Sequence, residues 1–102
     1  MVEVIWTEPA REDLNDIVEY VGLSNPKAAK DLILRVLKSV ERLSDFPESG
    51  RSVPELPELS YREIISNPCR IIYQHKGEQV FILHVMRQER DLRRFILQSL
   101  DG

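Results

Sequence analysis

Two apolar runs near the C-terminal end constrain the fold of this 102-residue chain more than any other feature. They read CRIIYQ (69–74) and QVFILHVM (79–86), and the polar stretch HKGE lies between them. β-Branched and aromatic residues are frequent in both runs, which is typical of strands. Gly77 supplies the residue that a tight hairpin turn accepts most easily. The pattern therefore predicts a β-hairpin whose apolar faces other elements must cover.

A helical hairpin in the N-terminal half is the natural cover. Its first helix follows Thr7, a plausible N-cap, and ends at Gly22. Its second helix follows Asn25, has Pro26 at its first position, and stops at Asp45 to Pro47. Both helices carry apolar residues at helical spacing on one face. Those residues are Ala10, Leu14, Ile17, Val18 and Val21 in the first helix, and Ala29, Leu32, Ile33, Val36, Leu37, Val40 and Leu43 in the second.

Further strands complete the architecture. VEVIW (2–6) and YREII (61–65) read as short strands, whereas 48–60 has two prolines and no periodicity and is predicted to be a loop. ERDLRRFILQSL (89–100) has helical spacing and is expected to form a C-terminal helix. The predicted fold is one α+β domain over residues 1–102, in the order β-αα-βββ-α. A small, mostly antiparallel sheet carries the N-terminal helical hairpin on one face.

Charge is unevenly distributed along the chain. Residues 1–61 have seven Lys/Arg and twelve Asp/Glu, a net charge of −5, whereas residues 62–94 have a net charge of +3. The balance argues against a strongly cationic nucleic-acid binder but predicts a local basic surface. No run of 18 apolar residues and no signal peptide are seen, and Cys69 is the one cysteine, so we expect a cytoplasmic protein without membrane contact.

The basic surface centres on arginines at the outer ends of the hairpin. If the turn is centred on Lys76-Gly77, Arg70 pairs with Leu83. Alternation then places Arg70, Leu83, Val85 and Arg87 on one face of the sheet. Arg70 lies within a strand and needs a carboxylate partner, for which Glu63 and Glu89 are candidates.

Catalytic motifs are sparse in this sequence. Only His75 and His84 are present; the first falls in a turn, and the second is expected to be a core or half-buried residue. No metal-ligand spacing or phosphate-binding glycine loop occurs, so no metal and no cofactor are predicted. An RNase could still act with a base, an acid and cations. The candidate cations are Arg62, Arg70, Arg87 and Arg90, but no base is evident.

Four segments carry a resemblance to a known family. They are WTEPAREDLNDIVEYV, NPKAAKDLILRVLKSVERLSDFPESGR, YREIISNPCRIIYQHKGEQVFILHV and RQERDL, in this order. Together they make almost the whole chain similar to the RelE/ParE superfamily of toxins from bacterial type II toxin-antitoxin modules. The resemblance implies the β-αα-βββ arrangement and a cognate antitoxin whose extended segments cover the helical hairpin and sheet.

The resemblance leaves two targets open. RelE-type members are ribosome-dependent mRNA endonucleases, whereas ParE-type members poison DNA gyrase. The arginine that is functional in the RelE type matches Arg70, but Cys69 stands where a tyrosine is usual, Ile64 where a lysine is typical, and Arg87 where many members have histidine. These departures and the sequence pI near 5.4 favour gyrase over the ribosome and its mRNA. A third possibility is an inactive homologue that acts only in antitoxin binding and operon autoregulation.

Two surfaces follow from this interpretation. The target-binding surface is expected at Arg62, Arg70, Arg87 and Arg90. The antitoxin surface is expected where apolar side chains exceed what one small sheet can bury, and we assign Tyr20, Leu23 and Leu34 to it.

Overall fold

The structure, a computed structural model, describes residues 1–88. The predicted C-terminal helix over 89–100, together with Glu89 and Arg90, lies outside the described residues. The elements in chain order are β1 (Glu3–Trp6), α1 (Glu8–Ser24), α2 (Pro26–Glu41), a short 3₁₀ turn (Arg42–Ser44), β2 (Arg51–Ser52), β3 (Arg62–Ser66), β4 (Cys69–Lys76) and β5 (Gln79–Arg87). None of the described helices is long and apolar enough to cross a bilayer.

The five strands form one sheet in the order β1-β5-β4-β3-β2. β1 runs parallel to β5, and the other neighbouring strands are antiparallel. The α+β class, the placement of both helices between the first strand and the later strands, and the mostly antiparallel sheet are therefore confirmed. Sequence reasoning missed β2, because two residues are too few to show alternation.

Side-chain caps fix where both helices begin. The Thr7 hydroxyl accepts a hydrogen bond from the Ala10 N–H at 3.4 Å, and Asn25 Oδ1 accepts one from the Ala28 N–H at 3.0 Å. Each cap satisfies one backbone donor that the first turn leaves without a helical partner. α1 continues two residues beyond the predicted end at Gly22, and Asn25 alone separates it from α2.

The core lies between the helices and one face of the sheet, here called the inner face. Its strand residues include Cys69, Ile71, Tyr73, Ile82 and Val85, all buried. The helices contribute the residues of the predicted apolar stripes that are most deeply buried, namely Ala10, Leu32, Val36, Val40 and Leu43. The apolar periodicity of both helices is thus explained by packing on the sheet.

The opposite, outer face of the sheet is covered by a segment of chain and not by a helix. Residues 53–61, here called the cover loop, place Val53 and Leu56 against Ile72 and Met86 in a second apolar cluster, with Tyr61 beside it. The sequence predicted a loop here, but it did not predict that the loop buries apolar side chains.

The predicted hairpin register is wrong. Gly77 and Glu78 form the turn, with Gly77 at φ +58°, and a bulge lies between Ile72 and Tyr73. The turn's displacement by one residue changes the pairing by two positions, and the bulge adds one more. Arg70 therefore pairs with Met86 and not with Leu83. The pairing thus shifts by three positions, and a shift by an odd number moves the β5 side chains to the opposite face relative to Arg70.

The register change separates the two arginines. Arg70 lies on the outer face with His84 and Met86, whereas Arg87 pairs with Cys69 on the inner face. The expectation that Arg70 and Arg87 share one face is thus contradicted by the strand pairing.

Candidate functional site

Arg70 is a buried cation held by two carboxylates. Its side chain is 7% exposed, and its Nη1 and Nη2 atoms donate to the two oxygens of Glu55 at 2.6 and 2.8 Å. Nη2 also donates to Oε1 of Glu63 at 2.5 Å. Hydrogen bonds to Glu55 are the main reason why the pKa of the Arg70 guanidinium is raised above its ordinary value. The predicted need for a carboxylate partner is confirmed, and of the two candidates Glu63 binds Arg70, whereas Glu89 lies outside the described residues.

Glu63 connects this buried pair to the sheet edge. Its second oxygen, Oε2, accepts from Nε and Nη2 of Arg51 at 3.0 and 2.8 Å. The Glu63 side chain is fully buried, whereas that of Arg51 is 66% exposed. Glu55, Arg70, Glu63 and Arg51 thus form an alternating series, here called the ion-pair chain, that runs from the cover loop to the solvent at β2.

Arg62 binds the backbone just before β2. Its Nη1 donates to the carbonyl oxygen of Gly50 at 2.8 Å and to that of Glu48 at 3.4 Å. The side chain is half-buried, and its donors point at peptide groups. The structure therefore gives Arg62 an anchoring contact, while its predicted role in target binding stays a prediction.

Tyr73 anchors the same segment from the inner face. The Gly50 N–H donates to the Tyr73 hydroxyl oxygen at 2.8 Å. A Cβ atom at Gly50 would lie 2.6 Å from both that oxygen and the Glu63 carbonyl oxygen, so glycine is required by close packing. Burial raises the pKa of the Tyr73 phenol above its ordinary value.

Arg87 lies at a separate site, beside α1. Its guanidinium sits 5.8 Å from the centre of the Tyr20 ring, within cation–π range. Both residues line a cavity of about 540 Å³ between α1 and the end of β5. Asp13 and Asp16 line the same cavity, so it combines an arginine, an aromatic ring and two carboxylates.

Asp13 covers the part of β5 that extends beyond β1. β1 pairs with β5 only as far as Ile82. Further along, Asp13 Oδ2 accepts from the Val85 N–H at 3.1 Å and lies 3.0 Å from His84 Nδ1. His84 is half-buried, as expected from its mid-strand position, and it is held by a carboxylate. A carboxylate at an open strand edge blocks the pairing of another strand at that position.

The side chains assigned to the antitoxin surface are exposed. Tyr20 is 65%, Leu23 86% and Leu34 56% exposed. Leu37 and Phe46 are exposed as well. Their predicted exposure is confirmed, and their role in antitoxin binding stays a prediction.

The three predicted cations within residues 1–88 do not form one catalytic constellation. Arg70 is paired and buried on the outer face, Arg62 binds peptide oxygens, and Arg87 lies near Tyr20. Within residues 1–88, no group of three or more His, Cys, Asp or Glu side chains is placed to hold a metal. Sequence reasoning missed Arg51 and Glu55. The acidic residues of a loop flanking a strand-interior arginine are the signal by which Glu55 could have been found.

Comparisons with known proteins agree with this fold. A model of the ParE toxin of the type II toxin-antitoxin system parDE matches residues 4–92. Toxin RelE2 of Caulobacter vibrioides is 31% identical over 87 residues, which cover 85% of this chain and 92% of that protein. The solved structure described as the chromosomal ParDE TA system from P. aeruginosa has a TM-score of 0.72 at 24% identity. It covers 87% of this chain and 98% of the matched chain, which shows a shared fold.

The family model spans most of the chain, and the relative exceeds 30% identity over most of both proteins. The family-model match covers most of β1, both helices and the hairpin that the sequence pattern predicted. The chain therefore belongs to the ParE/RelE family of toxins from type II toxin-antitoxin systems.

Proposed function

We propose that this toxin inhibits bacterial growth by binding DNA gyrase and that a cognate antitoxin neutralises it. The observation that carries the choice of gyrase is the dispersal of the candidate cations. RNA cleavage requires a base, an acid and charge-stabilising groups around one phosphate. In the described residues, Arg70 is buried between carboxylates, and Arg87 lies on the opposite face of the sheet.

The family comparison supports the same target. The matching family model describes a ParE toxin, and ParE-type members act on gyrase according to the resemblance drawn above. A binding-type toxin needs an exposed surface and no catalytic set. Arg87 is exposed at the rim of the cavity beside α1 and is the predicted cation best placed to contact a protein target.

Exposed apolar side chains on the helical hairpin support an antitoxin partner. Tyr20, Leu23 and Leu34 expose most of their surface. Large exposed apolar groups mark partner sites when they cluster. The structural relative is itself described as a toxin-antitoxin system. We infer that the antitoxin covers these side chains, and that both proteins act in the cytoplasm, where gyrase is found.

The test is to add the purified chain to gyrase and to follow supercoiling, while messenger RNA is probed in cells that express the chain without antitoxin. We expect supercoiling to fall and messages to stay intact. Arg87→Ala should weaken inhibition, whereas Lys76→Ala, at the distant hairpin turn, should not. In cells that also express the antitoxin, Leu34→Glu should stay toxic, because a carboxylate that the complex buries without a partner would disfavour antitoxin binding.

One relative favours a second candidate. The curated match carries the name Toxin RelE2, and RelE-type members cleave ribosome-bound mRNA. Cleaved messages with normal supercoiling would replace the gyrase proposal by this one. Normal growth of expressing cells would indicate the inactive homologue that acts only in antitoxin binding and operon autoregulation.

A further inference from the structure

A polar cleft lies at the edge of β3, and neither Arg87 nor the side chains assigned to the antitoxin line it. β2 pairs only with Arg62 and Glu63, so among the described residues the rest of β3 has no strand beside it on that edge. The end of α2 faces this gap, and a cavity of about 370 Å³ remains between them. This cavity is here called the edge cleft. Its polar lining residues are Ser39, Arg42, Ser49, Arg51 and Glu63.

The charge of the edge cleft is positive. Arg42 and Arg51 both line it, and Glu63 is the one carboxylate among its lining residues. That carboxylate is already shared, since Oε1 binds Arg70 and Oε2 binds Arg51. Arg42 has no ion pair within residues 1–88. The cleft therefore presents cationic groups that the protein itself neutralises only in part.

Arg51 is preorganised to receive a ligand. Glu63 holds its Nε and one hydrogen of Nη2, which leaves three of the five N–H donors of a guanidinium for another acceptor. Glu63 is in turn fixed by Arg70, which Glu55 holds in a bidentate contact. A side chain oriented by a buried partner loses less conformational entropy when it binds, so the ion-pair chain favours binding at its exposed end.

We propose that the edge cleft binds a phosphate group. Two guanidinium groups and the Ser39 hydroxyl provide donors for several oxygen atoms, which suits a tetrahedral oxyanion better than a planar carboxylate. The volume of about 370 Å³ exceeds that of one phosphate, so a phosphate ester fits as well. The lining residues of the edge cleft do not include Arg87 or the side chains assigned to the antitoxin, and Arg70 serves the cleft as a positioning residue.

The test is a titration of the purified, ¹⁵N-labelled full-length chain with inorganic phosphate, with chloride keeping the ionic strength constant. We expect saturable shifts of backbone amides at Ser39, Arg42, Ser49 and Arg51. Arg42→Ala and Arg51→Ala should each weaken binding by about tenfold, because each removes charge-assisted hydrogen bonds. Arg35→Ala is the matched control, since Arg35 is an exposed cation on α2 that does not line the cleft.

Non-saturable shifts, or an equal loss of affinity in Arg35→Ala, would show diffuse electrostatic attraction and overturn the proposal. If Arg51→Ala does not fold, Arg51→Lys replaces it, and unchanged affinity in that variant also counts against the site because lysine lacks the forked donor geometry. A short single-stranded oligonucleotide identifies the source of the phosphate. Binding at the same amides more than about tenfold tighter than inorganic phosphate indicates a nucleic-acid backbone, and similar affinity indicates small phosphates.

Discussion

The two faces of the sheet are buried by different means. On the inner face, α1 and α2 pack apolar side chains against residues such as Ile71 and Val85, and the contact is almost entirely apolar. On the outer face, the cover loop contributes a small apolar cluster around Ile72 and a buried ion pair with Arg70. One sheet thus has a helix-covered core and a loop-covered, charged one.

The difference shows how a loop without regular structure is held in one place. Apolar contact is non-directional, so it tolerates small displacements of its partners. An ion pair between Arg70 and Glu55 requires both groups to meet, because a buried charge without its partner is costly. We infer that the outer face depends on a few specified contacts, whereas the inner face depends on the sum of many.

The largest expected effect is the loss of Arg70. Arg70→Ala leaves the carboxylates of Glu55 and Glu63 near each other in a buried site without their shared cation. We expect the free energy of unfolding to fall by about 3–5 kcal/mol, which is typical when one partner of a buried pair is removed. Urea denaturation followed by circular dichroism measures it.

Arg51→Ala is the matched control at the other end of the ion-pair chain. Because its side chain is mostly exposed, removing it should cost no more than about 1 kcal/mol. Equal destabilisation by Arg70→Ala and Arg51→Ala would mean that burial makes no difference within the ion-pair chain. It would contradict the inference that the outer face depends on a few specified contacts.

A smaller effect is expected where the two faces meet, at Gly50. Gly50→Ala would place a Cβ atom 2.6 Å from the Glu63 carbonyl oxygen and from the Tyr73 hydroxyl oxygen. Neither β3 nor the buried ring can move freely, so we expect a loss of about 1–3 kcal/mol in thermal or urea unfolding. Gly22→Ala is the control, because its Cβ would meet only Ala29 at an ordinary 3.6 Å and alanine favours helices. Similar stability of both variants would show that the segment before β2 adapts easily.

The sequence predicted the helices that cover the inner face well and the cover loop of the outer face poorly, for a physical reason. Periodicity reports which side of a helix or strand is apolar, and the residues Leu32, Val36 and Val40 gave the stripe of α2 directly. The cover loop has no period, so the burial of Val53 and Leu56 had no signal of that kind. A loop's path depends on contacts with distant residues.

The candidate site was predictable only in part for a related reason. A strand-interior arginine implies a carboxylate, and that rule named Glu63 beside Glu89 but could not select Glu55 from a loop. The relative placement of Arg70 and Arg87 depended on register, and a single bulge reversed it. Arg51 was missed because its role depends on its ion pair with Glu63, and the sequence does not show that the two residues are neighbours.

The smallest expected effect concerns the hydrogen bond between Tyr73 of the inner face and Gly50 in the segment before β2. Tyr73→Phe removes the acceptor for the Gly50 N–H, and we expect a loss of about 1 kcal/mol near neutral pH. Burial raises the pKa of the Tyr73 phenol in the folded state. Its contribution to stability is therefore complete below the pKa of the unfolded chain, about 10, and is lost as pH rises further.

The pH dependence of the Tyr73→Phe effect separates the contribution of the Gly50 hydrogen bond from that of the buried phenol. As pH rises, the phenol ionises in the unfolded chain before it does so in the folded one, and this destabilises the wild type. The variant lacks the phenol and therefore does not lose stability in this way. The difference in unfolding free energy between the two proteins should shrink as pH rises from about 8 to about 11. A difference that stays constant over this range would mean that the hydroxyl is hydrated and that the inner face is less dry beside Gly50 than its packing indicates.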